Sequence, residues 1–178
     1  MILLQLVHPH MDRSRANRAM LDAISDVPGL LVNDLYEHYP DFYIDRAREQ
    51  ELLCSADLVI FQFPIYWYAA PALLKQWQEM VLLSGFAHGK GGDALQGKRL
   101  FTAVTTGQPF ESYSGSLSTI DELLSPYCRT AIHCGMKYLP PFVVHNVDAM
   151  SDIDIVEQAK RYREQVVTTY EQMHAGTL

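Results

Sequence analysis

A chain of 178 residues, 48% of them hydrophobic and with a formal net charge of −7, is long enough to bury one full core and too short for two ordinary domains. The charge excludes a nucleic-acid binder of the usual kind, because neutralising phosphates takes a basic face and no basic cluster occurs. Cys54, Cys128 and Cys134 are odd in number and lack the paired spacing of a zinc site, which points away from a disulfide framework or structural metal and towards the cytosol.

The first apolar run, Ile2 to Val7, is far too short for a signal peptide or membrane span and has no basic residue before it. It reads as a buried strand ended by His8-Pro9-His10. Ala16, Ala19, Met20, Ala23, Ile24 and Val27 then recur on one helical face, with Ser14 as the cap and Pro28-Gly29 closing the helix. Leu30 to Leu35 is a second strand, less apolar, as suits a position nearer the sheet edge. Tyr36 to Asp45 is an aromatic loop, and Arg46 to Ser55 a short helix. The run Asp57-Leu-Val-Ile-Phe-Gln-Phe63, ended by Pro64, is a third strand, continuous and branched enough to be buried on both faces.

From Pro71 the spacing of Leu73, Leu74, Trp77 and Val81 predicts a helix that starts on the proline and ends near Ser84. Gly85 to Gly97 reads as an irregular loop. Within it Gly92-Asp-Ala-Leu-Gln-Gly-Lys98 imitates a nucleoside-triphosphate P-loop, but Arg99 stands where Ser or Thr would hold magnesium and a strand follows instead of a helix. Arg99 to Thr105 is the fourth strand. Leu117, Ile120, Leu123, Leu124, Tyr127, Cys128 and Ala131 outline a helix. The fifth strand begins only after Pro140-Pro141, at Phe142 to His145, since proline cannot serve a central ladder. Ile155, Ala159, Tyr162, Val166 and Tyr170 mark a last helix.

Strands alternating with helices predict one α/β domain over residues 1–178, a doubly wound five-stranded parallel sheet with helices on both faces. Ligands bind such sheets at the carboxyl ends of the strands. The loops after strands one, three and four, with His8 to Asn17, Pro64 to Tyr68 and Thr105 to Tyr113, should therefore converge. The first offers His8, Ser14 and Asn17, with Arg13 and Arg15 nearby, beside a helix N-terminus that favours a phosphate; an ordinary cap with incidental polar neighbours accounts for the same residues. Ile65, Tyr66, Trp67 and Tyr68 suit a flat, partly apolar ligand, or equally a cover for the sheet edge. No metal site is expected, since His8 and His10 fix no coordination geometry and no carboxylate partner is evident. No serine or cysteine carries a nucleophile signature.

Taken together, His8-Pro9 with Ser14 and Asn17, Pro64-Ile-Tyr-Trp-Tyr68 with Pro71, Lys75 and Trp77, and Thr105-Thr-Gly107 resemble the flavodoxin-like NAD(P)H:quinone oxidoreductases. Tyr36 to Asp45, Gly89-Lys-Gly-Gly92 and Leu139-Pro-Pro-Phe142 are most similar to the ancillary proteins of bacterial glutathione-regulated potassium-efflux (Kef) systems. The resemblance implies a non-covalent FMN, and not FAD, because the chain ends soon after the fifth strand and its helix. It places the phosphate at Ser14, Arg15, Ala16 and Asn17 with His8, and the ring between Ile65, Tyr66, Trp67 and Tyr68 on one side and Thr105, Thr106, Gly107 and Gln108 on the other. It further implies a homodimer with the site at the subunit contact and hydride transfer from NAD(P)H through FMN to a quinone. A cytoplasmic location follows, at the inner face of the membrane where a Kef-type potassium/proton antiporter is the partner.

Relatives use a Tyr and a His on the loop after the fourth strand, and Tyr113 falls where that Tyr is expected. No histidine follows it, and Gln108 stands where many relatives have a second glycine. A regulatory flavoprotein that binds the transporter with little turnover is the alternative. A one-electron flavodoxin is disfavoured, because the first loop lacks its tight Ser/Thr-Gly-rich phosphate signature.

Overall fold

The computed structural model describes residues 1–114 and 118–176; Leu117, assigned above to a helix face, lies outside the described residues. The strands β1 (Ile2–Leu6), β2 (Leu30–Asp34), β3 (Leu58–Pro64), β4 (Arg99–Thr105), β5 (Lys137–Tyr138) and β6 (Phe142–Val144) alternate with the helices α1 (Arg15–Ile24), α2 (Leu35–His38), α3 (Arg46–Ser55), α4 (Ala72–Val81), α5 (Ile120–His133) and α6 (Asp152–His174). All pairings are parallel, in the order β2-β1-β3-β4, with β5 and β6 both against β4. The fifth strand position is thus filled by two short segments. Leu139-Pro140-Pro141 separates them, as expected of residues of which two lack an N–H for the ladder.

Alternation along the strands feeds two cores. Leu3, Val59, Phe61, Phe63, Leu100 and Val104 pack under α2 to α5 with Leu53, Leu73, Leu74, Trp77, Leu124 and Tyr127. Ile2, Leu4, Leu58, Ile60, Phe101 and Ala103 pack under α1 and α6 with Met20, Ile24, Tyr162 and Val166. Because β1 and β3 are covered on both faces, every residue in them is buried, which is why they read as unbroken apolar runs. The edge strand β2 is mostly half-exposed.

Several boundaries differ from the sequence reading. Leu35 and Tyr36 belong to a one-turn helix capped by Asp34, whose side chain accepts from the N–H groups of Tyr36 and Glu37. Pro71 is the N-cap of α4 and not its first residue, since its ψ of 146° is extended. That helix ends at Val81, before the Ser84-Gly85 turn where Gly85 takes φ +85°. Thr119 caps α5 through a reciprocal pair with Glu122.

One buried polar cluster lies in the first core. The Glu49 carboxylate, fully buried, accepts from Gln5 Nε2 at 3.0 Å, Asn33 Nδ2 at 2.9 Å, Tyr39 Oη at 2.7 Å and Trp77 Nε1 at 2.8 Å, and pairs with Arg48. It ties β1, β2, α3 and α4 together.

Candidate functional site

The register puts the carboxyl ends of four strands side by side: Leu6 opposite Gln62, Pro64 opposite Thr105, and Thr105 opposite Val144. The chain segments leaving them surround an open cleft of about 680 Å³, within the size range of small-molecule sites. Of the residues singled out in the sequence, His8, Ser14, Arg15, Ala16, Asn17, Ile65, Tyr66, Trp67, Tyr68, Thr105, Gly107, Gln108 and Tyr113 all line it. Thr106 does not; it is buried behind the lining, with its hydroxyl turned to Gln108 O at 2.7 Å.

One end of the cleft is rich in donors and cations. Ser14 Oγ accepts from Asn17 N at 3.2 Å and so caps α1 as predicted. A helix leaves its first N–H groups without intrahelical partners, so those of Arg15 and Ala16 remain for a ligand. His8 Nδ1 accepts from His10 N at 3.1 Å. In the neutral ring Nε2 therefore carries the hydrogen and is the nitrogen able to donate. Burial, together with the neighbouring His10, holds the His8 pKa below its ordinary value, while Asp12 opposes the shift. Asn17 Nδ2 donates to Thr105 Oγ1 at 3.0 Å, which clamps α1 to the end of β4. Gln62 supports Asn17 from the strand below, donating to its carbonyl at 3.0 Å. The Arg15 guanidinium is engaged elsewhere, holding Asp152 and the Met150 carbonyl of the α6 approach.

The other wall is aromatic. Tyr66 and Ala69 exchange both backbone hydrogen bonds, at 2.8 and 3.1 Å, and between them Trp67 (φ 49°) and Tyr68 (φ 63°) are both left-handed. Two positive φ values at the centre of a two-residue hairpin define a type I′ turn, where Asn-Gly is the usual choice. Bulky residues there cost about 1–2 kcal/mol each in backbone strain. The same turn presents Trp67, 93% exposed, and Tyr68 to solvent at the rim. Strain together with exposed aromatic surface marks a segment shaped for contact with something else. Tyr66 packs edge-on against His8 at 6.0 Å, and burial followed by the Asp148 charge raises its pKa.

Five lining residues lay outside the predicted set: His10, Arg13, Pro64, Val147 and Asp148. His10 and Arg13 lie within the first loop, where they read as incidental polar neighbours, and Pro64 is the last residue of β3. Val147 and Asp148 follow β6, whose carboxyl end adjoins that of β4, so the loop after the fifth strand joins the three that were foreseen. Asp148 approaches so closely that a Cβ on Gly107 would lie 2.8 Å from its carboxylate.

Comparisons with known proteins agree with this architecture. A family model described as flavodoxin-like fold matches residues 2–166. The chain is 43% identical over 177 residues to the glutathione-regulated potassium-efflux system ancillary protein KefF of Klebsiella aerogenes, covering 99% of this chain and all of that protein. Among solved structures it is similar to general stress protein 14 of Treponema denticola in complex with FMN, with 34% identity, a TM-score of 0.89, and coverage of 94% of this chain and 98% of that one. It is also similar to an NADPH-quinone reductase from P. pentosaceus, with 31% identity, a TM-score of 0.84, and coverage of 93% and 96%.

Proposed function

The chain belongs to the flavodoxin-like fold family, and on that premise we propose that it is an FMN-dependent oxidoreductase that passes a hydride from NAD(P)H to a quinone. Bound FMN would supply a two-electron carrier that a nicotinamide reduces and a quinone reoxidises. The observation that carries the reading is one cleft with a helix N-terminus at one end and a strained aromatic turn at the other. A phosphate needs donors and positive potential; a flat ring needs an apolar wall and backbone donors. Residues suited to both halves line the cleft.

In this reading the N–H groups of Arg15 and Ala16, the Ser14 hydroxyl and His8 Nε2–H would hold the phosphate. Arg15 contributes through its backbone, since its side chain binds Asp152. Asn17 sets the distance between the phosphate end and the β4 loop through Thr105. The backbone of residues 65–68 and 105–108 would border the ring, and Trp67 and Tyr68 would exclude water from the face where both substrates bind in turn. Tyr113, buried and lining the cleft, would steady charge that develops during hydride transfer.

The FMN found with the Treponema relative and the reductase activity in the name of the P. pentosaceus neighbour support this reading. The full-length likeness to KefF supports a second role beside the first, as the ancillary subunit of a Kef-type antiporter at the inner face of a membrane. Among the described residues no helix is long and apolar enough to cross a membrane, so that placement would rest on the partner. A homodimer that covers the exposed Trp67 completes the proposal.

The deciding experiment is an absorbance spectrum of the purified protein after FMN is added and the excess removed, followed by anaerobic NADPH and then a soluble benzoquinone. Retained flavin that bleaches with NADPH and recovers with quinone is the expected outcome. Retention without bleaching favours the transporter-bound regulatory role, and no retention overturns the assignment of the cleft.

A further inference from the structure

One residue that does not line the cleft touches both Tyr113 and the loop after β4. His145 comes directly after β6 and is half-buried, with its ring centre 5.4 Å from that of Tyr113 and 5.5 Å from that of Phe110. Its Nδ1 lies 3.1 Å from Thr106 Oγ1. That hydroxyl already gives its one proton to Gln108 O, so towards His145 it must accept, and Nδ1 must carry the hydrogen. The neutral ring is therefore the Nδ1–H tautomer, with Nε2 free of hydrogen. Burial holds the His145 pKa below its ordinary value, an effect that the nearby Glu111 charge opposes.

The backbone repeats the connection. Thr106 N donates to Val144 O at 2.9 Å, Val147 N to Thr106 O at 3.0 Å and Asn146 N to Gln108 O at 3.0 Å, with Asn146 in the left-handed region at φ 58°. The loops after β4 and β6 are thus one unit, and His145 is the side chain at its centre.

We propose that His145 is a positioning residue of this site: its Nδ1–H fixes Thr106 and hence the 106–108 turn at the cleft wall, and its ring seats Tyr113. The role rests on the oxidoreductase reading, because the turn and Tyr113 matter only as a border for bound flavin. It predicts which side chains can replace histidine. An asparagine places its amide N–H near the position of Nδ1, whereas glutamine, closer to histidine in volume, reaches only the Nε2 side.

The test is FMN affinity of the apoprotein by fluorescence titration for His145→Ala, His145→Asn and His145→Gln, together with the long-range proton–nitrogen NMR correlation of the histidine ring in the wild type. His145→Ala and His145→Gln should weaken FMN about tenfold, in proportion to one lost half-buried hydrogen bond, and His145→Asn should remain within about threefold of wild type. Flavin reduction by NADPH should follow the same order, and the wild-type ring should give the Nδ1–H pattern even without FMN. Rescue by glutamine as good as by asparagine, unchanged affinity in the alanine variant, or an Nε2–H ring would each overturn the proposal. A wild type that binds no FMN overturns the functional reading instead, and the NMR pattern then decides the state of His145 by itself.

Discussion

The Glu49 cluster and the cleft are both built from polar side chains withdrawn from water, and they differ in how completely their hydrogen-bonding capacity is used. Around Glu49 every group faces another: carboxylate, indole, phenol, two amides and a guanidinium close on themselves. At the cleft the first N–H groups of α1 and the outward nitrogen of His8 are left over, and the neighbouring turn holds two aromatic residues in a conformation they disfavour. A satisfied cluster serves the fold and an unsatisfied one serves a ligand. Substitutions in the two regions should therefore move stability and binding in different directions.

The largest effect is expected at Glu49. Replacing it with alanine leaves Trp77 Nε1 without its acceptor and takes one partner each from Tyr39, Gln5, Asn33 and Arg48, and should cost about 3–5 kcal/mol of folding stability. Urea unfolding measures the loss. FMN affinity of the protein that remains folded should be unchanged, and a large loss of affinity without loss of stability would erase the contrast between the two regions.

The reverse pattern is expected at the aromatic turn. Trp67→Asn combined with Tyr68→Gly supplies the residues a type I′ turn prefers, and should raise stability by about 1–3 kcal/mol through relief of strain. For a chain of this size that is roughly 2–4 °C in Tm for each kcal/mol. The same variant should weaken FMN and slow quinone reduction. Stability that falls would mean that the turn is held by packing and not by its occupant.

The smallest effect is a pH dependence. His8 and His145 both have pKa values lowered by burial, so below the ordinary value of about 6.5 the unfolded chain binds protons that the folded chain does not. Their contribution to stability is full above about pH 6.5 and declines as the pH falls towards the lowered folded values. Thermal unfolding of the apoprotein between pH 8 and 5 should show this decline. It should be shallower in His8→Asn, whose amide oxygen can still accept from His10 N. An unchanged slope would show that His8 titrates as it does in the unfolded chain.

Much of this was legible in the sequence. The unbroken apolar runs of β1 and β3, the Ser14 cap and the faces of α4 and α6 follow from local periodicity and capping chemistry, and the structure repeats them within a few residues. Three of the four loops at the cleft were placed because topology requires the carboxyl ends of parallel strands to meet. The α2 turn was not, since four residues between strand and loop leave no periodicity to read. The engagement of the Arg15 side chain by Asp152 was not legible either, because that partner is 137 residues away.

By itself, then, the sequence determined the alternating α/β class, the helix N-terminus at the first loop, the aromatic stretch and the family likeness, all of which are carried by neighbouring residues. Only the tertiary structure decided that β6 lies beside β4, that Asp148 lines the cleft, and that His145 meets Thr106 and Tyr113. Local sequence encodes conformation through side chains a few positions apart, whereas a contact across 39 residues exists only once strand order has brought two loop ends to the same edge of the sheet.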